Sequence, residues 1–222
     1  MSERLILTIG LMGGTGQLGP GLALRWANAG YQVIIGSRQA EKAARVAAEL
    51  NEMLGLETIQ GMQNKEAAQR ADICVLTVNH SAHQATVESL KDVLQGKIVV
   101  DTTARVDYRD PRPPSAPSAA RMAQEVLGPE CRVVAAFQTV PASRLKKEPE
   151  EPLDLDVLVC ADDPEAAEEV RKLAQGAGMR AYYAGDLDFA LVAEGLTAML
   201  IAMNKRYKAR DVSLRIAGLE GE

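Results

Sequence analysis

Excess basic charge is missing from this sequence. Against 30 Asp and Glu stand 25 Lys and Arg, a formal net charge of -5 over 222 residues. That balance argues against the broad basic face of a nucleic-acid binder. Small anionic ligands stay open, because local cations decide their binding. Cysteine is scarce: Cys74, Cys131 and Cys160 lie far apart in apolar runs and no Cys-x-x-Cys occurs. A zinc or dithiol motif is not expected. Three scattered thiols read as small buried hydrophobes in a reducing compartment. Long apolar runs are lacking as well. The longest, 189–203, carries Glu194 and is too short to cross a bilayer. Met1-Ser2-Glu3-Arg4 leads straight into an apolar strand, which is not the start of a secretory signal. Repeats and low-complexity stretches are absent. A cytoplasmic protein is expected.

What is present is an apolar share of 47%, enough for a packed core, in a length that fits one large domain or one domain plus a small one. Strand and helix patterns alternate, the signature of a parallel α/β sheet. Strands are expected at 5–11, 31–36, 58–60, 73–78, 97–101, 132–137, 156–160 and 179–183. Helices are expected at 17–29, 39–54, 83–94, 118–127, 164–175 and 188–207. Residues 73–78 form the unbroken apolar run of a strand buried on both faces. Asp163 followed by Pro164 reads as an N-cap and a first helical position. The tail, 213–219, reads as a last strand. Two stretches interrupt the alternation. Residues 105–118 hold Pro111, Pro113, Pro114 and Pro117, excluding a regular helix or central strand; they form either a surface connection or a loop over a site. Residues 144–152 are charged and contain Pro149 and Pro152. We place a boundary there, with 1–143 a nucleotide-binding domain and 144–222 a smaller α/β domain.

The strongest local signal is Gly13-Gly14-Thr15-Gly16-Gln17-Leu18-Gly19, between an apolar strand and a helix. It contains G-x-G-x-x-G at Gly14, Gly16 and Gly19. In this setting Gly14 permits a tight turn, Gly16 lets the backbone approach a pyrophosphate, and Gly19 lets the helix pack on the strand. Thr15, Gln17 and Leu18 then lie at a helix N-terminus that offers free N–H groups to phosphate. A dinucleotide is the expected ligand and a Rossmann-type doubly wound sheet the expected fold. An NAD site usually places Asp or Glu at the end of the second strand, about 20 residues on. Here that strand ends Gly36-Ser37-Arg38, with Lys42 one turn later. A hydroxyl, a guanidinium and an ammonium suit a ribose 2′-phosphate, so NADP(H) is expected.

In such a sheet the ligand crosses the carboxyl ends of the strands. Two ends should flank the nicotinamide and its reaction partner: Thr77, Val78, Asn79 and His80, and Ala136, Gln138, Thr139, Val140 and Pro141. Neither offers a Ser-His-Asp, Cys-His or paired-carboxylate set. Hydride transfer between two bound cofactors needs close approach more than a general base. His80 and His83 are the only histidines and read as an ordinary polar loop, with acid/base work by His80 a weaker alternative and no metal site expected. Residues 204–210 form a basic cluster, read as cations at a helix C-terminus or as an anchor for an anionic cofactor tail. Met199 and Met203 read as core or dimer interface.

These pieces, with Val133-Val134-Ala135-Ala136-Phe137-Gln138-Thr139-Val140, Asp156-Val157-Leu158-Val159-Cys160 and Asn204-Lys205-Arg206-Tyr207-Lys208, resemble the NADPH-dependent reductases of the deazaflavin coenzyme F420 along nearly the whole chain. The resemblance implies hydride transfer between NADP(H) and the deazaflavin C5, and a cleft between a Rossmann domain and a small C-terminal domain. It also implies a homodimer. It assigns Thr15, Ser37, Arg38 and Lys42 to the 2′-phosphate and Gln138–Pro141 to the deazaflavin wall. The chain departs from that pattern at Asn79-His80, where relatives tend to have Pro-Trp, and at Gln138, where some carry His. Asp186, Phe189 and Leu191 lie in a stretch lacking the family's Pro, Asn and Arg, and Ala198 replaces a Pro. These departures bear on the acceptor. The competing readings are an NADPH-dependent reductase of a flavin, metal chelate or imine, and a non-catalytic NADP(H) sensor.

Overall fold

The computed structural model describes residues 6–219. Leu5, which opens the first expected strand, lies outside them. Among the described residues eight strands form one sheet: β1 (Thr8–Met12), β2 (Gln32–Ser37), β3 (Ile59–Gln63), β4 (Ile73–Leu76), β5 (Ile98–Asp101), β6 (Arg132–Ala135), β7 (Asp156–Ala161) and β8 (Arg180–Gly185). The helices are α1 (Gly19–Asn28), α2 (Ala40–Leu54), α3 (Asn64–Arg70), α4 (His80–Leu94), α5 (Ala119–Leu127), α6 (Ala142–Leu145), α7 (Pro164–Gly176) and α8 (Ala190–Tyr207). A 3-10 turn, Leu187–Phe189, leads into α8.

The strand order is β3-β2-β1-β4-β5-β6-β7-β8. The first six are parallel and follow the Rossmann order, with the chain reversal between β1 and β4. There Leu11 pairs with Val75 and Met12 with Leu76, so both strands end side by side where a ligand crosses. β7 joins β6 antiparallel and β8 joins β7 parallel, so these two strands extend the same sheet.

Strand side chains alternate between two cores, as a period of two demands. Ile9, Leu11, Val33, Ile35 and Val75 pack on one face; Met12, Ile34, Cys74, Leu76 and Val99 pack on the other. β4 and β5 are buried at every position. All three cysteines are free and buried. Burial raises the Cys74 thiol pKa to about 12 and the Cys160 thiol to about 11, which leaves both inert at neutral pH.

Helix starts follow the expected chemistry in places. Asp163 caps α7 by accepting the N–H groups of Glu165 and Ala166. α4 begins at His80, three residues before the expected start. The tail corrects a reading: 213–219 is not a strand. It runs as irregular chain past the start of β7, where Asp156 N–H donates to Leu214 O at 2.9 Å and Asp156 Oδ2 accepts the Ile216 N–H at 2.5 Å. α3 and α6 carry no periodic apolar pattern and were not anticipated.

The helical run Leu187–Tyr207 is 21 residues with a mean hydropathy of 1.4, long and apolar enough to cross a membrane, and so longer than the 189–203 stretch suggests. Its docked face is Ala190, Ala193, Glu194, Thr197 and Ala198. Met199 and Met203 are 53% and 38% exposed, so the core reading fails for both.

Candidate active site

The glycine loop joins β1 to α1. Gly14 N–H donates to Leu11 O and Gly36 O, and Gly16 N–H to Gly13 O. The conformational demand falls on Gly13, at φ 75, rather than on Gly14. Gly14 is required by packing, since a Cβ there would lie 2.8 Å from Leu11 O. A Cβ on Gly19 would lie 2.5 Å from Gly14 O, so the close approach is of the helix to the loop rather than to the strand. Gly16 differs. A Cβ there would meet only Gly13 O at 3.5 Å and Thr77 O at 3.7 Å. The protein itself does not need this glycine, and the room above it is a cradle that a Cβ would fill. α1 opens beside it with no side-chain cap and no acidic residue in its first turn. Its N–H groups and positive dipole end are left for an anion. Thr15 is half-buried there; Gln17 is exposed and Leu18 half-buried.

The end of β2 completes the phosphate side. Ser37 is buried, and its Oγ accepts the Gln39 N–H at 3.2 Å, leaving its own hydroxyl proton to donate. Arg38 and Lys42 are exposed and hold no internal side-chain partner among the described residues. A hydroxyl and two uncommitted cations beside an empty-handed helix start fit a 2′-phosphate.

Of the two predicted strand ends, the first meets the loop. The side chain of Val78 overlies Gly13, whose Cβ would lie 2.5 Å from Val78 Cγ1. Thr77 is tied back to β1 through Oγ1 to Met12 O at 3.1 Å. Asn79 and His80 follow, both exposed, and Asn79 gives α4 no side-chain cap. On the other side, Ala136, Gln138, Thr139 and Val140 are buried and Pro141 is half-buried. Phe137 turns the chain there at φ 70, a region disfavoured for a residue with a Cβ. It is held edge-on against Trp26, with ring centroids 5.9 Å apart. Gln138 Nε2 donates to Asp101 O at 3.0 Å, and Gln138 O accepts the Thr197 hydroxyl at 3.0 Å. The Thr139 hydroxyl has no partner among the described residues.

Several polar groups here were missed from the sequence. His83 is buried, with Nε2 2.6 Å from Asp101 Oδ2. Glu194, in the middle of the apolar helix, is 1% exposed. It accepts the Arg105 N–H and Nε and the Ala119 N–H. One carboxylate of α8 thus holds both ends of the proline-rich connection. Arg105 Nη2 to Ser115 O and Lys205 Nζ to Arg109 O brace it further. Lys205 and Arg206 occupy the last turn of α8, where cations complement the helix end. Of the departures, Asp186 caps the 3-10 turn, Phe189 is 54% exposed, Leu191 is half-buried and Ala198 is buried. The only separable signals for this cluster were an acid in an apolar helix and an acid ending an apolar strand.

Burial opposes protonation of His83. The hydrogen bond and charge of Asp101, with the charge of Glu194, outweigh burial and the like charge of Arg105, so the imidazole pKa rises from 6.5. A group raised on folding contributes stability that is complete below its unfolded pKa and is lost as pH climbs through the folded one. Urea unfolding should therefore show stability falling as pH rises above about 6.5. The same series on His83→Gln should be flatter, and equal slopes would contradict this assignment. Burial also raises the Glu194 carboxyl, against the Ala119 N–H and Arg105.

The model of the family described as NADP oxidoreductase, coenzyme F420-dependent, matches residues 8–105. The F420-dependent NADP reductase of Methanothermobacter thermautotrophicus is 38% identical, over 99% of this chain and 98% of its own length. That of Methanocaldococcus jannaschii is 39% identical, over 96% of this chain and 100% of its own length. The solved structure of a candidate F420-dependent NADP reductase from Arthrobacter sp. FB24 superposes with a TM-score of 0.79 at 25% identity, covering 95% of this chain and 99% of that one. Identity of this order along the full length of both chains shows that the chain belongs to the F420-dependent NADP reductase family.

Proposed function

We propose that the protein transfers a hydride between NADP(H) and coenzyme F420, with the two ligands meeting at the ends of β4 and β6. The observation that carries the nucleotide half is Gly16, a glycine whose absent side chain serves no contact within the protein. When bound, the nicotinamide and the deazaflavin supply the redox chemistry, passing a hydride between them.

The chain's own residues bind and align. Gly14, Thr15, Gly16, Gln17, Leu18 and Gly19 cradle the pyrophosphate at the α1 N-terminus. Ser37, Arg38 and Lys42 hold the 2′-phosphate. Thr77, Val78, Asn79 and His80 border the nicotinamide, while Ala136, Gln138, Thr139, Val140 and Pro141 form the deazaflavin wall. The buried hydroxyl of Thr103, without a partner among the described residues, supports a polar ligand near the β5 end. No side chain is assigned an acid/base step, because direct transfer asks for approach to roughly 3–3.5 Å.

In this reading 1–143 binds the nucleotide and 144–222 completes the cleft of the second cofactor. The protein works in the cytoplasm as a homodimer. Val192, Met199 and Met203, exposed at helical spacing on α8, support self-association. The acidic balance speaks against nucleic acid, and buried Glu194 against α8 lying in a membrane.

Mixing the protein with NADPH and oxidised F420 should bleach the deazaflavin's visible absorbance, with NADH a poor substitute. Arg38→Ala should weaken NADPH by roughly 1.5–3 kcal/mol, the range for hydrogen bonds to charged groups, and leave NADH nearly unchanged. Equal damage to both nucleotides would refute the 2′-phosphate assignment. Intact NADP(H) binding without bleaching would refute F420 as acceptor and favour a flavin, a metal chelate, an imine or a sensor role.

A further inference from the structure

The His83–Asp101 pair has no part in that reaction as described, yet four segments of the cleft meet on it. Asp101 ends β5 and is 0% exposed. Its Oδ2 lies 2.6 Å from His83 Nε2, in the first turn of α4. Its Oδ1 accepts the Thr103 N–H at 2.9 Å. Its carbonyl accepts both Ala136 N–H at 3.1 Å and Gln138 Nε2 at 3.0 Å. Gln138 in turn is bound by Thr197 of α8. One turn from His83, α4 opens with exposed Asn79 and His80. His83 is only 4% exposed, too enclosed to touch either ring.

We infer that His83 and Asp101 are positioning residues for hydride transfer: they hold the Asn79–His80 end of α4 and the Gln138 wall at one separation across the cleft. This rests on the proposed reaction between NADP(H) and F420. Hydride transfer is steeply sensitive to approach, and a displacement of about 1 Å costs roughly a hundredfold in rate. Without its imidazole partner, a carboxylate shut away from water has no solvation to fall back on. The 101–103 turn must then shift to find another donor, and it takes the Gln138 anchor with it. The other charges facing His83 are Glu194 of α8 and Arg105 of the loop after β5. They are unchanged in every variant below. The nucleotide's phosphate contacts lie on other segments, so binding should not follow the rate.

The test is single-turnover mixing of NADPH-loaded enzyme with oxidised F420, using NADPH and its 4-deuterated form, for the parent, His83→Ala and His83→Gln. NADPH affinity and thermal midpoints are measured alongside. Glutamine places an N–H about where Nε2 stood and restores the bridge without a ring. His83→Ala should slow the isotope-sensitive step roughly tenfold to a hundredfold with unchanged NADPH affinity, and His83→Gln should recover most of it. Should His83→Ala not fold, His83→Leu, which fills the space and offers Asp101 no N–H, carries the same comparison. An unchanged hydride rate in His83→Ala, whatever its thermal midpoint, would overturn the inference. So would equal loss in the alanine and glutamine variants, or a fall in NADPH affinity matching the fall in rate. Failure of the parent itself to bleach F420 would instead remove the underlying reaction, a result visible before any variant is made.

Discussion

Gly16→Ala is expected to fold as stably as the parent and to bind NADP(H) roughly a hundredfold more weakly, a loss of about 3 kcal/mol, or one to two charge-assisted hydrogen bonds. The two halves of this expectation have separate causes. Stability is untouched because the new Cβ would meet only Gly13 O at 3.5 Å and Thr77 O at 3.7 Å, ordinary contact distances. Nor is Gly16 among the glycines at positive φ. Loss of backbone freedom in the unfolded chain can even add about 0.4–1 kcal/mol. Affinity falls because a methyl group occupies the place where the pyrophosphate must approach the backbone and the α1 N-terminus.

The neighbouring glycines supply the control. Gly19→Ala would press a Cβ to 2.5 Å from Gly14 O, and backbone cannot yield as a flexible side chain can. That variant should lose stability and binding together. Gly16→Ala and Arg38→Ala are also separable from each other: the first should weaken NADPH and NADH alike, the second NADPH alone. Isothermal titration with both nucleotides and urea unfolding of each variant decide the matter. Unaltered NADP(H) affinity in a folded Gly16→Ala protein would remove the pyrophosphate from this loop.

What the sequence disclosed, it disclosed through periodicity and through short motifs. β4 and β5 were legible because a parallel strand buried on both faces is an unbroken apolar run, and both are buried throughout. The glycine loop and Ser37-Arg38 stand out because the nucleotide contacts proposed for them fall on a handful of adjacent residues. α3, Asn64-Lys65-Glu66-Ala67-Ala68-Gln69-Arg70, was not legible. It buries only Ala67 and Ala68, too little for a period of 3.6 to register. Four-residue α6 is shorter than any such window. The tail was misread as a strand because its alternation of apolar and polar residues serves local anchoring on Asp156 and Asp154 instead of sheet pairing. The polar cluster of the cleft was hidden for another reason. His83 and Asp101 are 18 residues apart, and Arg105 and Glu194 are 89 apart. Only the fold makes them neighbours. Read singly, His83 is a loop polar residue and Glu194 a blemish in an apolar helix.

Arg25 is the largest case of such hidden chemistry, and Arg25→Met should destabilise the protein by about 3–5 kcal/mol, the range for breaking a buried charged network. In the sequence it is one cation on the helix behind the glycine loop. In the structure it is 1% exposed, and its guanidinium donates to five backbone carbonyls. Nε reaches Leu145 O at 3.0 Å; Nη1 reaches Glu151 O at 2.9 Å and Ala177 O at 3.2 Å; Nη2 reaches Lys147 O at 2.9 Å and Glu148 O at 3.3 Å. That uses each of the five N–H groups of an arginine. Burial, and then the like charge of Arg144, lower its pKa from the usual guanidinium value, so the site is tolerable for a cation only because every donor is matched. Methionine would fill much of the volume and match none of the carbonyls, and each buried acceptor left bare costs about 1–3 kcal/mol. Some would recover by turning to solvent, since 147, 148 and 151 lie in an exposed segment, which keeps the total below the simple sum. Lysine has three donors at one point in place of a planar fork, so Arg25→Lys should fall between the two. The consequence reaches the cleft. Arg25 ties α1, which starts at the proposed pyrophosphate cradle, to α6 and the following segment, which carry the chain from the proposed Gln138–Pro141 wall to β7. Urea unfolding should show the full loss in Arg25→Met, with a thermal midpoint lower by roughly 10 °C for a chain of this size. F420 turnover should decline at temperatures well below that midpoint, as the wall loses its tether before the sheet unfolds. A stability change under about 1 kcal/mol, small against the cost of even one bared carbonyl, would mean that the five carbonyls find water unaided and that Arg25 is not the tie between the two halves of the chain.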